Sequence, residues 1–173
     1  MSIHSTDGIA GLTKLERIGL RAKRDINCVF SNIGHALTIT LLREQYQKLD
    51  GRKAIGIDGI SKADYGKNLT ENLEKLIRKI RNGTYQPKPS RLVEIAKEDG
   101  SKRPLAISCT EDKIVQSAVY KILNEIYEPI FLPCSYGFRP NRNCHDALKA
   151  HMQQTNKNQN GSVVEIDISK YLE

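Results

Sequence analysis

Long apolar runs are missing from this sequence. No uninterrupted stretch exceeds three residues, as at Cys28-Val29-Phe30 and Ile130-Phe131-Leu132, whereas a membrane span takes about twenty. The first 30 residues also lack the apolar segment of a secretory signal. We therefore expect a soluble, intracellular protein. Paired cysteines are missing too. Cys28, Cys109, Cys134 and Cys144 contain no C-x-x-C pair, which argues against a zinc ribbon, and four reduced thiols are the default in a chain without a leader. His4, His35, His145 and His151 form no ligand cluster. His145 adjoins Cys144, but two neighbours alone do not make a tetrahedral site. A balance of charge is the last absence: 27 Lys and Arg face 20 Asp and Glu, a net charge of +7. A merely solubilising basic surface and a surface made for a polyanion, most often nucleic acid, both fit that surplus.

What is present suffices for a folded protein. The 173 residues are 39% apolar and 27% charged, too apolar for a disordered chain and long enough to bury a core. That length suits one domain, or one domain with an appendage.

Leu15, Ile18, Ala22 and Ile26 recur at helical spacing and predict a helix from about Leu12 to Phe30, with Arg17, Arg21 and Arg24 on another face. Ser31 and Asn32 read as a cap, and Ile33, Leu37, Thr40 and Leu41 open a second helix to about Lys48. Residues 50–60, with Gly51, Gly56 and Gly59 among Ile55, Ile57 and Ile60, read as an ordered loop. The clearest helix spans about Ala63 to Arg81, striped by Leu69, Leu73, Leu76, Ile77 and Ile80 and closed by Asn82-Gly83. Its outer face carries Lys75, Arg78, Lys79 and Arg81. With Lys88 and Arg91, the stretch from Lys75 to Val93 holds six cations and no acid. A solvated helix face usually mixes signs, so this asymmetry favours an anionic partner.

Pro87 and Pro89 impose extended chain. Arg91–Ala96 and Lys102–Ile107 then read as a β-hairpin around a tight Asp-Gly turn at Glu98–Ser101, with Lys97, Lys102 and Arg103 beside it and Pro104 at an edge or bulge. Thr110 reads as an N-cap, followed by Glu111 and Asp112, where the helix dipole favours acids. The wide stripe from Ile114 to Ile126 predicts a buried helix that ends at Glu128-Pro129. Asn143 is suited to cap a short helix to about Met152. Residues 153–162 read as a loop, and Val163–Ile168 as a short central strand with Asp167 near its end.

Three features could carry chemistry. Lys97 and Arg103 could neutralise the oxygens of a triphosphate, or simply adorn a solvated hairpin. Asp167, an acid in an apolar strand, is a candidate Mg²⁺ ligand, though one acid is a thin basis for a site. Ser135-Tyr136-Gly137-Phe138-Arg139-Pro140 has the makings of a fixed loop that positions a cation or stacks a base, or of a packed turn.

The order of these features resembles one family. Gly56-Ile57-Asp58-Gly59, Gly83-Thr84-Tyr85-Gln86-Pro87, Lys97-Glu98-Asp99-Gly100-Ser101-Lys102-Arg103-Pro104-Leu105, Asp112-Lys113-Ile114-Val115-Gln116, Ser135–Arg142 with His145-Asp146-Ala147-Leu148, and Glu165–Tyr171 match group II intron reverse transcriptases. The resemblance covers about residues 51–171, and residues 1–50 look like the family's helical extension. It implies an α+β fold: mostly helical fingers (51–160) with a small antiparallel hairpin, then the first palm strand (161–171). It also implies that Lys97 and Arg103 grip the incoming dNTP, and that Asp167 and the carbonyl of Ile168 bind catalytic Mg²⁺. Lys75, Arg78, Lys79, Arg81, Lys88, Arg91, Arg139 and Arg142 would face template or intron RNA, with Arg139 ordering the fingers–palm junction. The implied partners of the whole enzyme are RNA, a DNA primer and dNTP, in a bacterial or organellar cytoplasm, with no membrane.

Two departures stand out. The family's Ile-Pro-Lys reads Ile95-Ala96-Lys97, and its Leu-Gly-Ile-Pro reads Leu105-Ala106-Ile107-Ser108, which loosens the hairpin's edges but keeps the cations. After Tyr171 the family continues with Phe-Asp, but here Leu172-Glu173 follows. We expect 172–173 to be a cloning remnant and the rest an N-terminal fragment. No Tyr-x-Asp-Asp occurs in the 173 residues, so we expect no polymerisation from them alone, since two-metal transfer needs several carboxylates. A lone palm strand would leave a sticky edge, making a homodimer an expectation. The competing readings are a non-catalytic RNA-binding protein and a reverse transcriptase tied to phage defence or CRISPR loci.

Overall fold

Thr13 begins the first helix with a reciprocal cap: its hydroxyl accepts from Glu16 N, and the Glu16 carboxylate accepts from Thr13 N at 2.7 Å. The structure, a computed structural model, describes residues 12–98, 100–158 and 160–168. The chain forms two compact units, one ending at Ile130 and the other beginning at Phe131. The described residues form six α-helices and one two-stranded sheet, the expected α+β composition.

In the first unit, α1 (Lys14–Arg24) stops earlier than its periodicity suggests. The Asp25 carboxylate accepts from Asn27 N at 3.0 Å, a local turn that competes with helical bonding. The second helix also starts later than expected. Ile33–Ala36 is a 3₁₀ turn, and α2 (Ile39–Lys48) begins after Thr38, whose hydroxyl accepts from Leu41 N. The long helix expected over 63–81 is broken in two, α3 (Lys62–Lys67) and α4 (Leu69–Arg81). Asn68 sits between them outside helical geometry, at φ −124° and ψ 41°. The break turns Tyr65 inward, where it is buried. Gly83 ends α4: Thr84 N donates to Lys79 O and Gly83 N to Ile80 O, which satisfies the last carbonyls.

Strands β1 (Arg91–Ala96) and β2 (Lys102–Ile107) pair antiparallel, as their alternation predicts. Helix α5 (Thr110–Tyr127) is the element against which α1, α2 and α3 pack. Its N-cap is Cys109, and Thr110 is already helical. Leu42, Leu73, Leu76 and Ile114 are completely or almost completely buried, with Ile18, Leu41, Ile77, Ala118 and Ile122 around them. The helix is not buried all round, as its wide stripe suggested: Val119, Tyr120 and Leu123 are exposed. A second 3₁₀ turn, Glu128–Ile130, closes the unit.

In the second unit, an irregular loop leads to α6 (Cys144–Lys157). Asn143 caps it as expected, accepting from Asp146 N and donating to the Asp146 carboxylate. The helix runs five residues past Met152. Thr155 stays helical, its hydroxyl donating back to the carbonyls of His151 and Met152. Residues 163–168 form no strand. They pair with nothing among the described residues, and Val163, Val164, Ile166 and Ile168 are exposed. Apolar alternation creates a strand only where a partner supplies the ladder. No described helix is long and apolar enough to cross a membrane.

Candidate nucleotide and nucleic-acid interface

The register of the hairpin decides where its cations point. A two-residue turn at Asp99-Gly100 would pair Lys97 with Lys102 and put Arg103 on the other face. The observed ladder pairs Ala96 with Lys102 and Ile95 with Arg103. Lys97 N donates to Ser101 O at 2.8 Å and Gly100 N to Lys97 O at 3.1 Å. Gly100 takes φ +79°, the left-handed conformation that a three-residue hairpin loop requires. One residue of register moves every side chain to the opposite face. Here it brings Arg91, Lys97 and Arg103 onto one face, beside Val93, Ile95 and Leu105. Lys102 lies on the opposite face, where its ammonium meets Glu94 at 2.6 Å. Pro104 faces Glu94 in a pair that exchanges no ladder bonds, so its missing N–H costs nothing.

The basic run from Lys75 to Arg91 divides by pairing. Lys75 contacts Glu71 at 2.6 Å. Lys88 contacts Asp58 at 2.9 Å. None of the ion pairs among the described residues engages Arg78, Lys79, Arg81, Arg91, Lys97 or Arg103, and all six are exposed. On α4, Lys75, Arg78 and Lys79 lie opposite the buried Leu73, Leu76 and Ile77, while Arg81 sits to one side.

The first turn of α5 anchors this surface, a role that sequence patterning does not reveal. Thr110 Oγ1 donates to Ile60 O at 2.7 Å. Glu111 accepts from Tyr65 OH at 3.1 Å. Asp112, buried, accepts from Tyr85 OH at 2.5 Å and from Lys88 N at 3.1 Å. Lys113 Nζ donates to Ala54 O at 2.6 Å. Four consecutive side chains thus hold the 50–60 loop, α3 and the chain entering the hairpin. The available signal was four consecutive polar residues opening a helix whose later turns carry an apolar stripe. Gly56 completes the junction: a Cβ there would lie 2.6 Å from the Cys109 Cα, so the loop seats only as glycine.

Electrostatics follow from this packing. Burial alone would raise the Asp58 carboxyl. The hydrogen bond from Lys88, with those from Ile60 N and the Cys109 thiol, outweighs burial and holds it below its ordinary value. The same hydrogen bond raises the Lys88 ammonium, against a smaller opposing effect of partial burial. Burial, then the Asp112 hydrogen bond, raises the Tyr85 phenol, so it stays protonated and donates. A depressed carboxyl stabilises the fold above the ordinary carboxylate range and loses that contribution as pH falls through its folded value. A raised ammonium contributes fully below the ordinary amine range and loses its share only as pH rises through its folded value. We expect Asp58→Asn to lower Tm at pH 7 and the gap from wild type to close below about pH 4. A gap of equal size at pH 3 and pH 7, measured by thermal melts, would mean that Asp58 acts through shape and not charge.

In the second unit, Arg139 Nη1 donates to Leu132 O at 2.9 Å and Ser135 O at 2.8 Å, and its guanidinium lies 5.1 Å from the Phe131 ring centre. Arg142 Nη1 donates to Pro133 O at 2.5 Å, beneath the Tyr136 ring. Both arginines therefore staple the 131–142 loop. Asp167 is exposed, and Ile168 follows it in unpaired chain. Among the described residues, no three of His, Cys, Asp and Glu gather as a metal cluster. A cavity of about 570 Å3 lies between the end of α2, the end of β2 and the first turns of α5, and neither Lys97 nor Arg103 lines it.

Residues 95–171 match the reverse transcriptase (RNA-dependent DNA polymerase) family. The chain is 39% identical over 137 residues to the group II intron-encoded protein LtrA of Lactococcus lactis subsp. cremoris, covering 78% of this chain and 23% of that protein. It is 36% identical over 126 residues to protein YkfC of Escherichia coli K12, covering 71% of this chain and 33% of that one. An uncharacterized 91 kDa protein in the cob intron of Schizosaccharomyces pombe is 31% identical over 142 residues, covering 80% of this chain and 18% of that protein. The chain is thus similar to group II intron-encoded proteins, carries a reverse transcriptase match over residues 95–171, and spans a third or less of each of these relatives.

Proposed function

We propose that this chain supplies the fingers of an RNA-directed DNA polymerase and maturase, binding template or intron RNA and the incoming dNTP. The observation that carries the reading is the division of charge. Acids inside the protein take up Lys75, Lys88 and Lys102, while Arg78, Lys79, Arg81, Arg91, Lys97 and Arg103 stay exposed without an ion pair among the described residues. Lys97 and Arg103 would hold the triphosphate oxygens, the flat fork of Arg103 bidentately and Lys97 as a point charge. Ile95 and Leu105, beside them on the same face, would exclude water from that contact.

Asp167 and the Ile168 carbonyl offer oxygen ligands of the kind Mg²⁺ takes. Mg²⁺ would polarise the phosphoryl group and activate the attacking hydroxyl. One carboxylate and one carbonyl do not fit a two-ion site by themselves, so Asp167 and Ile168 would supply only part of the donor set. Arg139 and Arg142 would serve RNA by fixing the 131–142 loop, with their charge placed beside the strand.

The RNA reading is tested by Arg78→Glu with Lys79→Glu. We expect weaker binding of single-stranded RNA and a salt slope flatter by roughly 0.7 for each phosphate that the protein no longer neutralises. An unchanged slope, read from binding isotherms at several KCl concentrations, would move the RNA surface elsewhere.

A further inference from the structure

Among the described residues, Gln45 carries the one buried side-chain polar atom without a hydrogen-bond partner. Gln45 is 3% exposed. Its Oε1 accepts from Ser117 Oγ at 2.9 Å, and its Nε2 bonds nothing. An idle buried donor is costly and calls for an explanation. Gln45 belongs to the lining of the cavity of about 570 Å3 at the end of α2, a size usual for a small-ligand site. With its oxygen engaged, the amide can only donate, so it suits a ligand that presents an acceptor.

Two further features define that ligand. Leu49 and Ala54, at and after the end of α2, and Leu105 and Ile107 of β2 give the cavity apolar walls. Lys48, Lys53 and Lys113 also line it, and none of the ion pairs among the described residues engages them. Lys113 Nζ donates to the neutral Ala54 carbonyl and so keeps its charge. The acid of the lining, Asp50, is paired with Arg52 at 3.2 Å. Apolar walls, a buried donor and surplus positive charge together match a flat heterocycle with a carbonyl edge and a phosphate. A sugar phosphate would leave the apolar walls unused, and a fatty acid would leave the amide idle. The placement fits as well. Leu105 and Ile107 follow Arg103 on its own face of the hairpin, about 7 and 13 Å further along at the rise of a strand.

We propose that this cavity holds one nucleotide. Its base lies against Leu49, Ala54 and β2, with a carbonyl accepting from Gln45 Nε2, and its phosphate lies among Lys48, Lys53 and Lys113. The site goes beyond the phosphate-binding surfaces already proposed, since neither the hairpin cations nor those of α4 line the cavity. A free mononucleotide and an unpaired nucleotide of an RNA strand carry the same chemistry.

The full chain, labelled with nitrogen-15, would be titrated with uridine monophosphate and with an oligouridylate, while the Gln45 side-chain amide resonance is followed. We expect it to shift. A shift with both ligands assigns the site to a free nucleotide, and a shift with the oligouridylate alone assigns it to a strand. A difluorotoluene isostere keeps the shape of uracil without its carbonyls. The isostere, in whichever ligand binds, should bind wild type about tenfold more weakly than uracil does, and should bind Gln45→Leu as it binds wild type. Lys48→Glu with Lys53→Glu should weaken the phosphate-bearing ligand and leave plain uridine unchanged. Ala54→Trp, at an exposed position, fills the cavity and should abolish the shift at unchanged Tm. If Gln45→Leu fails to fold, the isostere on wild type and Ala54→Trp still decide. Arg78→Glu with Lys79→Glu should leave the shift intact, so failure of the α4 surface is read separately from failure of this site. No shift with either ligand at millimolar concentration, equal affinity for uracil and its isostere, or a shift that survives Ala54→Trp would each overturn the proposal.

Discussion

Asp112→Ala should destabilise the first unit by about 2–4 kcal/mol. The carboxylate is 3% exposed and accepts two hydrogen bonds, from Tyr85 OH and Lys88 N, both contributed by the chain between α4 and β1. Truncation strands both donors beside a void, and an orphaned buried donor costs about 1–3 kcal/mol. The damage would not stop there. Lys88 also reaches Asp58 through its side chain, so freeing its backbone loosens the second tie of the 50–60 loop. Asp112→Asn keeps the shape and one acceptor oxygen, and should cost roughly half as much. Urea denaturation would measure both, with an m value near that of wild type if the denatured state is unchanged. A cost below about 0.5 kcal/mol for Asp112→Ala would show that the α5 turn is a bystander.

That anchoring also shows what sequence reasoning could reach here. The hairpin and α5 were legible because apolar spacing fixes both and because proline, glycine and the Asp-Gly step mark their limits. The helix break at Asn68 was not legible. Leu69 to Ile80 continues a good stripe, and the contact that accompanies the break, Tyr65 OH donating to Glu111, spans 46 residues of sequence. Thr110 reads as a cap because its type suits one, yet its hydroxyl donates to Ile60 O, which no local rule foresees. The segment 163–168 fails as a strand for a related reason: alternation proposes a strand, and only a neighbour makes one. Ser135–Pro140 reads as a fixed loop or a packed turn, and the sequence could not say that Arg139 and Arg142 turn back to bond its carbonyls and those before it.

Lys97 and Arg103 were legible as a pair of cations beside the turn but not as neighbours on one face, because a two-residue turn would have separated them. Their shared face makes a sharp prediction. In a polymerase of the kind proposed here, Lys97→Ala and Arg103→Ala should each lower kcat/KM for dNTP by about 10- to 100-fold, the scale of removing one charge-assisted hydrogen bond to phosphate. RNA affinity should stay within about twofold, because α4 carries its own unpaired cations. Lys102→Ala is the internal control. It removes an equal charge one residue from Arg103, but on the far face and already paired with Glu94, so dNTP kinetics should hardly change. Arg103→Lys should recover only part of the activity, because an ammonium cannot reproduce the two-pronged contact of a guanidinium. Steady-state extension assays at varied dNTP and saturating primer–template separate the cases. If Lys102→Ala costs as much as Arg103→Ala, the hairpin acts through net charge and the shared face is irrelevant. If RNA affinity falls while dNTP kinetics hold, the face binds the template strand and the nucleotide is gripped elsewhere.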